Sequence, residues 1–168
     1  MLSADRNTEV GESVAHLISD AKVAVALAEA TERAMAILDS DPQKLAGTIP
    51  LDIGIFGNSL PQELRSCRLS VMRAGAAYHV ERHPNAVQYV YSLNNSGSIS
   101  IFDGNNWRTT ELTSNAADPL VSRWHIVPPN AWHQPVPGVN HWTVLGFHSV
   151  PSTELIDDYS FNGPKKTI

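Results

Sequence analysis

The spacing of apolar positions changes character partway along the chain. From Glu12 to Asp39, Val14, Leu17, Ile18, Ala21, Val25 and Ala28 recur at three- and four-residue steps, the period of a helix face. Val23, Leu27, Ala34, Ile37 and Leu38 make a second apolar stripe. Good helix formers dominate here, and between Thr8 and Asp39 there is no proline and one glycine, Gly11. The pattern predicts one N-terminal α-helix over 12–39, ended by Asp41-Pro42 and Gly47. A helix apolar on two sides needs two neighbours. One would be the rest of the chain and the other a second copy, so a homodimer is expected.

Beyond Gly47, Pro and Gly punctuate short runs rich in β-branched and aromatic residues, the pattern of an all-β sandwich or barrel. Strands are predicted at Leu51–Phe56, Cys67–Ala74, Ala77–His83, Val87–Leu93, Ser98–Phe102, Trp107–Leu112, Ser122–Val127 and His141–His148. Asp103-Gly104 is a tight-turn signal, and Pro151-Ser152 should open a short helical turn running through Tyr159. About eight short strands suffice to close a jelly-roll barrel over 50–150, within one domain of 1–168.

Bulk properties narrow the functions. The 168 residues are 42% hydrophobic and 17% charged, as in ordinary globular proteins. A formal net charge of -5 without a Lys/Arg run gives no positive footprint for nucleic acid or an anionic membrane. The N-terminus lacks a signal-peptide pattern and no apolar run is long enough to span a bilayer, so a cytoplasmic protein is expected. Cys67 is the only cysteine, which excludes an intramolecular disulfide; a small buried strand residue is its simplest reading.

Chemistry concentrates in the β half, where six of the seven histidines lie. On an extended strand His79, Glu81 and His83 share one face, with neighbours roughly 6.6 Å apart at the backbone. His79 and His83, at roughly 13 Å, are too distant to share an ion unless the strand bulges. Glu81 with His83, or His79 with Glu81, are the workable pairs. A second segment, Pro128-Pro129-Asn130-Ala131-Trp132-His133, turns at Asn130 and delivers His133 at the start of the next element.

These two segments resemble the motifs of the cupin superfamily. The first cupin motif runs Gly, five residues, His-x-His, three or four residues, Glu, six residues, Gly; here the same spacing reads Gly75, Glu81-Arg82-His83, Gln88 and Asn95. The second contains Pro-x-Gly-x-x-His and reads Pro128-Pro129-Asn130-Ala131-Trp132-His133. The likeness covers roughly residues 67–148. Glu81 stands where the first histidine is usual, Gln88 replaces the glutamate, Asn95 and Asn130 replace turn glycines, and Pro137 replaces a closing asparagine.

The resemblance implies a double-stranded β-helix and a divalent transition metal held by Glu81, His83 and His133, with Gln88 as a weak neutral oxygen ligand and His79 in reserve. Two histidines, one carboxylate and open positions favour Fe(II), with Mn, Ni, Co or Zn also fitting. The expected activity is that of a metal-dependent small-molecule enzyme, a dioxygenase or other oxygenase. The alternatives are a metal-free isomerase or epimerase, with His79 or His83 as base and Tyr78, Tyr89 or Tyr91 as acid, and a non-catalytic ligand-binding domain. His125, His141 and His148 are read as structural or pocket-lining, and Trp124, Trp132 and Trp142 as barrel wall with one or two free to line a pocket.

Overall fold

The computed structural model describes residues 4–164 and 166. Two helices, α1 (Ala4–Ile18) and α2 (Ala21–Asp39), precede eight strands: β1 (Ala46–Leu51), β2 (Ser66–Met72), β3 (Gln88–Asn94), β4 (Ser96–Phe102), β5 (Trp107–Thr113), β6 (Trp124–Val127), β7 (His133–Pro137) and β8 (Trp142–His148). They form an antiparallel five-stranded sheet, β1-β2-β8-β3-β6, facing a three-stranded one, β5-β4-β7. No described helix is long and apolar enough to cross a membrane.

Strand alternation divides the larger sheet into two working faces. On β2, Cys67, Leu69 and Val71 pack toward the helices, while Arg68, Ser70 and Met72 turn into the space between the sheets. On β3, Tyr89 and Tyr91 join the helix-facing core, and Gln88 and Val90 face inward. β8 is buried along its whole length because both its faces are covered. The helices seal one face through Val10, Val14, Val23, Leu27, Ala30, Ala34 and Leu38. A smaller core of Met72, Val90, Ile99, Leu112, Val127, Trp142 and Val144 fills one part of the interior.

Several elements depart from the sequence reading. The single helix expected over 12–39 is two, because Asp20 adopts an extended backbone and its carboxylate accepts the amides of Lys22 and Val23, an N-cap that starts α2 afresh. The strand expected at Leu51–Phe56 lies earlier, at β1; Asp52 caps a 3-10 segment, Ile53–Ser59, instead. β7 was not anticipated, because Pro135 and Pro137 disguise it. It is an edge strand, where missing amides cost little. Past Pro151 the chain makes one turn and then runs extended, pairing Asp158 with Arg82, so the helical turn does not reach Tyr159. Asn95 and Asn130 do adopt the left-handed backbone, at φ 62° and 64°, where turn glycines would be usual. The first apolar stripe divides: α1's Val14 is buried, whereas Ala21, Val25 and Ala28 of α2 are exposed.

Candidate metal centre

Between the sheets opens a pocket walled by Met72, Val90, Ile99, Pro135 and Val144 and carrying a polar group on nearly every other side. It leaves about 70 Å³ in which the centre of a water molecule can sit, enough for a few waters or a small ligand.

Glu81, His83 and His133 meet on its lining, each buried, with one potential ligand atom apiece lying within 4.8 Å of the others. Backbone pairing sets this arrangement. Glu81 and His133 exchange both amide-to-carbonyl hydrogen bonds, at 2.9 and 2.8 Å, which fixes the two segments side by side. His133 is the first residue of β7, and Asn130 in its left-handed turn donates its amide to the His83 carbonyl at 2.9 Å. The second motif is thereby tied to the first at both ends.

The segment 77–83 is not the regular strand expected. Tyr78 donates to Pro135 and Glu81 to His133, so three steps on one side oppose two on the other. The extra residue brings Tyr78 and Glu81 onto the same wall of the pocket and sends His79 out to the surface, beside Tyr78 and Tyr159. Arg82 points the other way and pairs with Asp158, not with Glu81.

The ring nitrogens sort themselves by their partners. His133 Nδ1 lies 3.1 Å from the Ala131 carbonyl oxygen, and His83 Nδ1 lies 3.0 Å from Asp157 Oδ1 and 3.4 Å from the Ile156 carbonyl oxygen. All three neighbours only accept, so both Nδ1 atoms carry the proton and both Nε2 atoms keep a lone pair. Those Nε2 atoms are buried without a hydrogen-bond partner, His133 Nε2 standing 3.5 Å from Glu81 Oε1. Two buried imidazole lone pairs beside a carboxylate, each orphaned, fit a cation.

Beside the three stand a neutral histidine, a neutral amide and the Arg68–Asp157 ion pair. His148 is buried at the ligands' edge, 5.0 Å ring to ring from His83, and burial first, then His83 and Arg68, push it down to about 3, so it is neutral. Gln88 lines the pocket with its Oε1 unpartnered and its Nε2 3.5 Å from His148 Nε2. Asp157 is drawn down to about 2 chiefly by His83, whose Nδ1 lies 3.0 Å away, with Arg68 helping and burial opposing. Burial, then Glu81, raises both Tyr78 and Tyr159, which therefore keep their phenolic protons at neutral pH.

Tyr89 and Tyr91 are corrected by strand parity. Both face the helices: Tyr89 stacks on Trp124 with ring centroids 5.6 Å apart, and the Tyr91 hydroxyl accepts from Arg123 at 2.9 Å. The pocket's tyrosines are Tyr78 and Tyr159, and only the register of an irregular segment and a returning tail could have shown it. Among the other histidines, His125 turns into the barrel interior away from the pocket wall, and His141 Nδ1 accepts the Ala74 amide at 2.8 Å. Trp124, Trp132 and Trp142 are all outside the pocket wall; Trp142 lies across Gly97 and donates to Ser92 at 2.8 Å.

Neither a family model nor a curated protein matches this chain. Solved structures do. The formate complex of Lactobacillus farciminis oxalate decarboxylase superposes with a TM-score of 0.53 and 14% identity, over 70% of this chain and 32% of that one. The coconut allergen cocosin superposes at 0.54 and 15%, over 76% and 31%. The chain has the cupin fold. A mutant Bacillus subtilis oxalate decarboxylase matches this chain at 0.54 and 16%, over 70% and 29%. Mn(II) centres are described for the Bacillus enzyme. The chain spans about a third of the length of these neighbours.

Proposed function

We propose that this cupin is a metal-dependent small-molecule enzyme, an oxygenase or dioxygenase, with Glu81, His83 and His133 holding a divalent transition metal. One observation carries the reading: two buried, unpartnered imidazole nitrogens and a carboxylate converge within 4.8 Å on the lining of a pocket of about 70 Å³. A two-histidine, one-carboxylate set favours Fe(II), with Mn, Ni, Co and Zn as the other candidates. When bound, the metal would supply Lewis acidity and one-electron chemistry on its open side.

The chain's own residues do the rest. Glu81 brings one negative charge, and Gln88 keeps the usual glutamate position neutral. Met72, Val90, Ile99 and Val144 exclude bulk water, which strengthens each polar contact inside. Tyr78 and Tyr159, protonated, can donate hydrogen bonds to a small substrate, and neutral His148 offers a further polar contact beside it. The small volume restricts the substrate to a few heavy atoms unless the mouth opens.

Anaerobic reconstitution with Fe(II), Mn, Ni, Co and Zn, followed by elemental analysis, tests the centre. Near-stoichiometric uptake is expected. Oxygen consumption by the Fe(II)-loaded protein, with a panel of small acids and phenols, tests the reaction class; substrate turnover without oxygen uptake would reassign it as a lyase or isomerase. Failure to take up any of the five metals would end the reading. We place the protein in the cytoplasm as a homodimer formed through the exposed face of α2, which sedimentation velocity checks.

A further inference from the structure

One half-buried carboxylate beside the pocket, Asp157, has no part in the roles assigned so far. After β8 the chain turns at Pro151 and runs back alongside the pocket, which Tyr159 lines, carrying Asp157 to His83. Its attachments lie on both sides of that residue. Upstream, the Glu154 carbonyl accepts Asn85 Nδ2 at 2.7 Å, and Asn85 Oδ1 accepts the Ile156 amide at 3.2 Å. Downstream, Arg82 and Asp158 exchange two backbone hydrogen bonds of 3.0 Å each, and the Arg82 guanidinium holds the Asp158 carboxylate at 2.7 Å. Within this clasp Asp157 Oδ1 stands 3.0 Å from His83 Nδ1, and Oδ2 accepts from Arg68 Nη1 at 2.9 Å.

The two histidines differ in what holds them. His133 leans on the carbonyl of Ala131, two residues before it, and needs nothing from elsewhere. His83 depends on the returning tail, because both groups that face its Nδ1 come from there: the Ile156 carbonyl, and the Asp157 carboxylate in ion-pair contact. A carboxylate on the far nitrogen of a histidine fixes its tautomer, its ring angle and its basicity.

We infer that Asp157 is a positioning residue for the centre: it keeps His83 as the Nδ1–H tautomer with Nε2 turned to the cation, so docking of segment 154–158 and metal binding reinforce each other. This rests on the metal reading in one half only, since the tautomer can be read in the metal-free protein.

Nitrogen-15 correlation spectra of the histidine rings, recorded on the apo protein near neutral pH, should show His83 as a single Nδ1–H tautomer. Asp157→Ala should convert it to a mixture while the His133 signals stay put. Titration with Zn or Mn should give a dissociation constant weaker by roughly 10–100-fold in Asp157→Asn and Asp157→Ala. Asp157→Glu should recover part of the loss, and the surface control Asp39→Asn should match wild type. Metal should also slow hydrogen exchange at the Ile156 and Asp158 amides in wild type and not in Asp157→Ala. The near-isosteric Asp157→Asn, checked by near-UV circular dichroism, guards against a folding defect. An unchanged tautomer together with unchanged affinity in Asp157→Ala overturns the inference. A wild type that binds no metal overturns the metal centre, and the tautomer spectra then decide the role of Asp157 alone.

Discussion

His83 and His133 are 2% and 1% exposed, and neither ring has a second donor or acceptor to spend on anything but the pocket. Replacing either by alanine removes a lone pair that nothing nearby can replace. Metal affinity should fall by more than the roughly 10–100-fold that an outer-shell partner costs, whereas His125→Ala should bind metal as wild type does, measured by titration calorimetry. His125 makes a separate prediction. Burial first, then His133, lowers it to about 4. Its folded pKa lies below the ordinary value of roughly 6.5, so the unfolded chain takes up the proton first as pH falls. The stability tied to neutral His125 is complete above about pH 6.5 and drains away between there and about pH 4, by at most about 3 kcal/mol. Denaturant unfolding of His125→Leu across that window should show a shallower loss than wild type.

Motif spacing carried Glu81, His83, His133 and the two left-handed asparagines, because a sequence interval survives replacement of the residues that usually fill it. It could not show which neighbours join them. Tyr78 enters the pocket and His79 leaves it because of one unmatched residue opposite Pro135–His133, and a count along a regular strand gives the reverse. Asp157 and Tyr159 arrive from a tail whose path depends on Arg82 and Asn85, which no local pattern encodes. Tyr89 and Tyr91 had the right strand and the wrong parity.

At the level of elements, the apolar periodicity that marks α2 also sets how closely it sits on β1. Gly47 faces α2, and a Cβ built there would fall 1.8 Å from the Ala34 carbonyl oxygen. That neighbour is helix backbone and cannot swing aside. Gly47→Ala must push α2 off the sheet and should cost about 1–3 kcal/mol or more, read as a lower urea midpoint. The strands with β-branched or aromatic runs were legible to within a few residues. β7 was not, because prolines at alternate positions violate propensity, and only its place at a sheet edge makes them acceptable. The break at Ser19-Asp20 was visible as a capping residue but lay inside an unbroken apolar period, and the period outweighed it.

Across the whole molecule, metal binding and folding share one free energy. A cation that binds the closed barrel and not the open chain stabilises it by roughly 2.7 kcal/mol at a hundred times its dissociation constant. For a chain of 168 residues that corresponds to a rise in melting temperature of about 5–11 °C. Differential scanning calorimetry with and without metal should show it. His83→Ala should abolish the shift.

The groups that would grip an ion come from three places along the chain: Glu81 and His83, then His133, then Asp157. On the ribosome the first pair emerges long before its partners, and a lone carboxylate and imidazole hold metal weakly. An ion bound as proposed would therefore meet a barrel in which the three segments have already come together. Supply of the proposed metal would then act after synthesis, on a chain that has already folded.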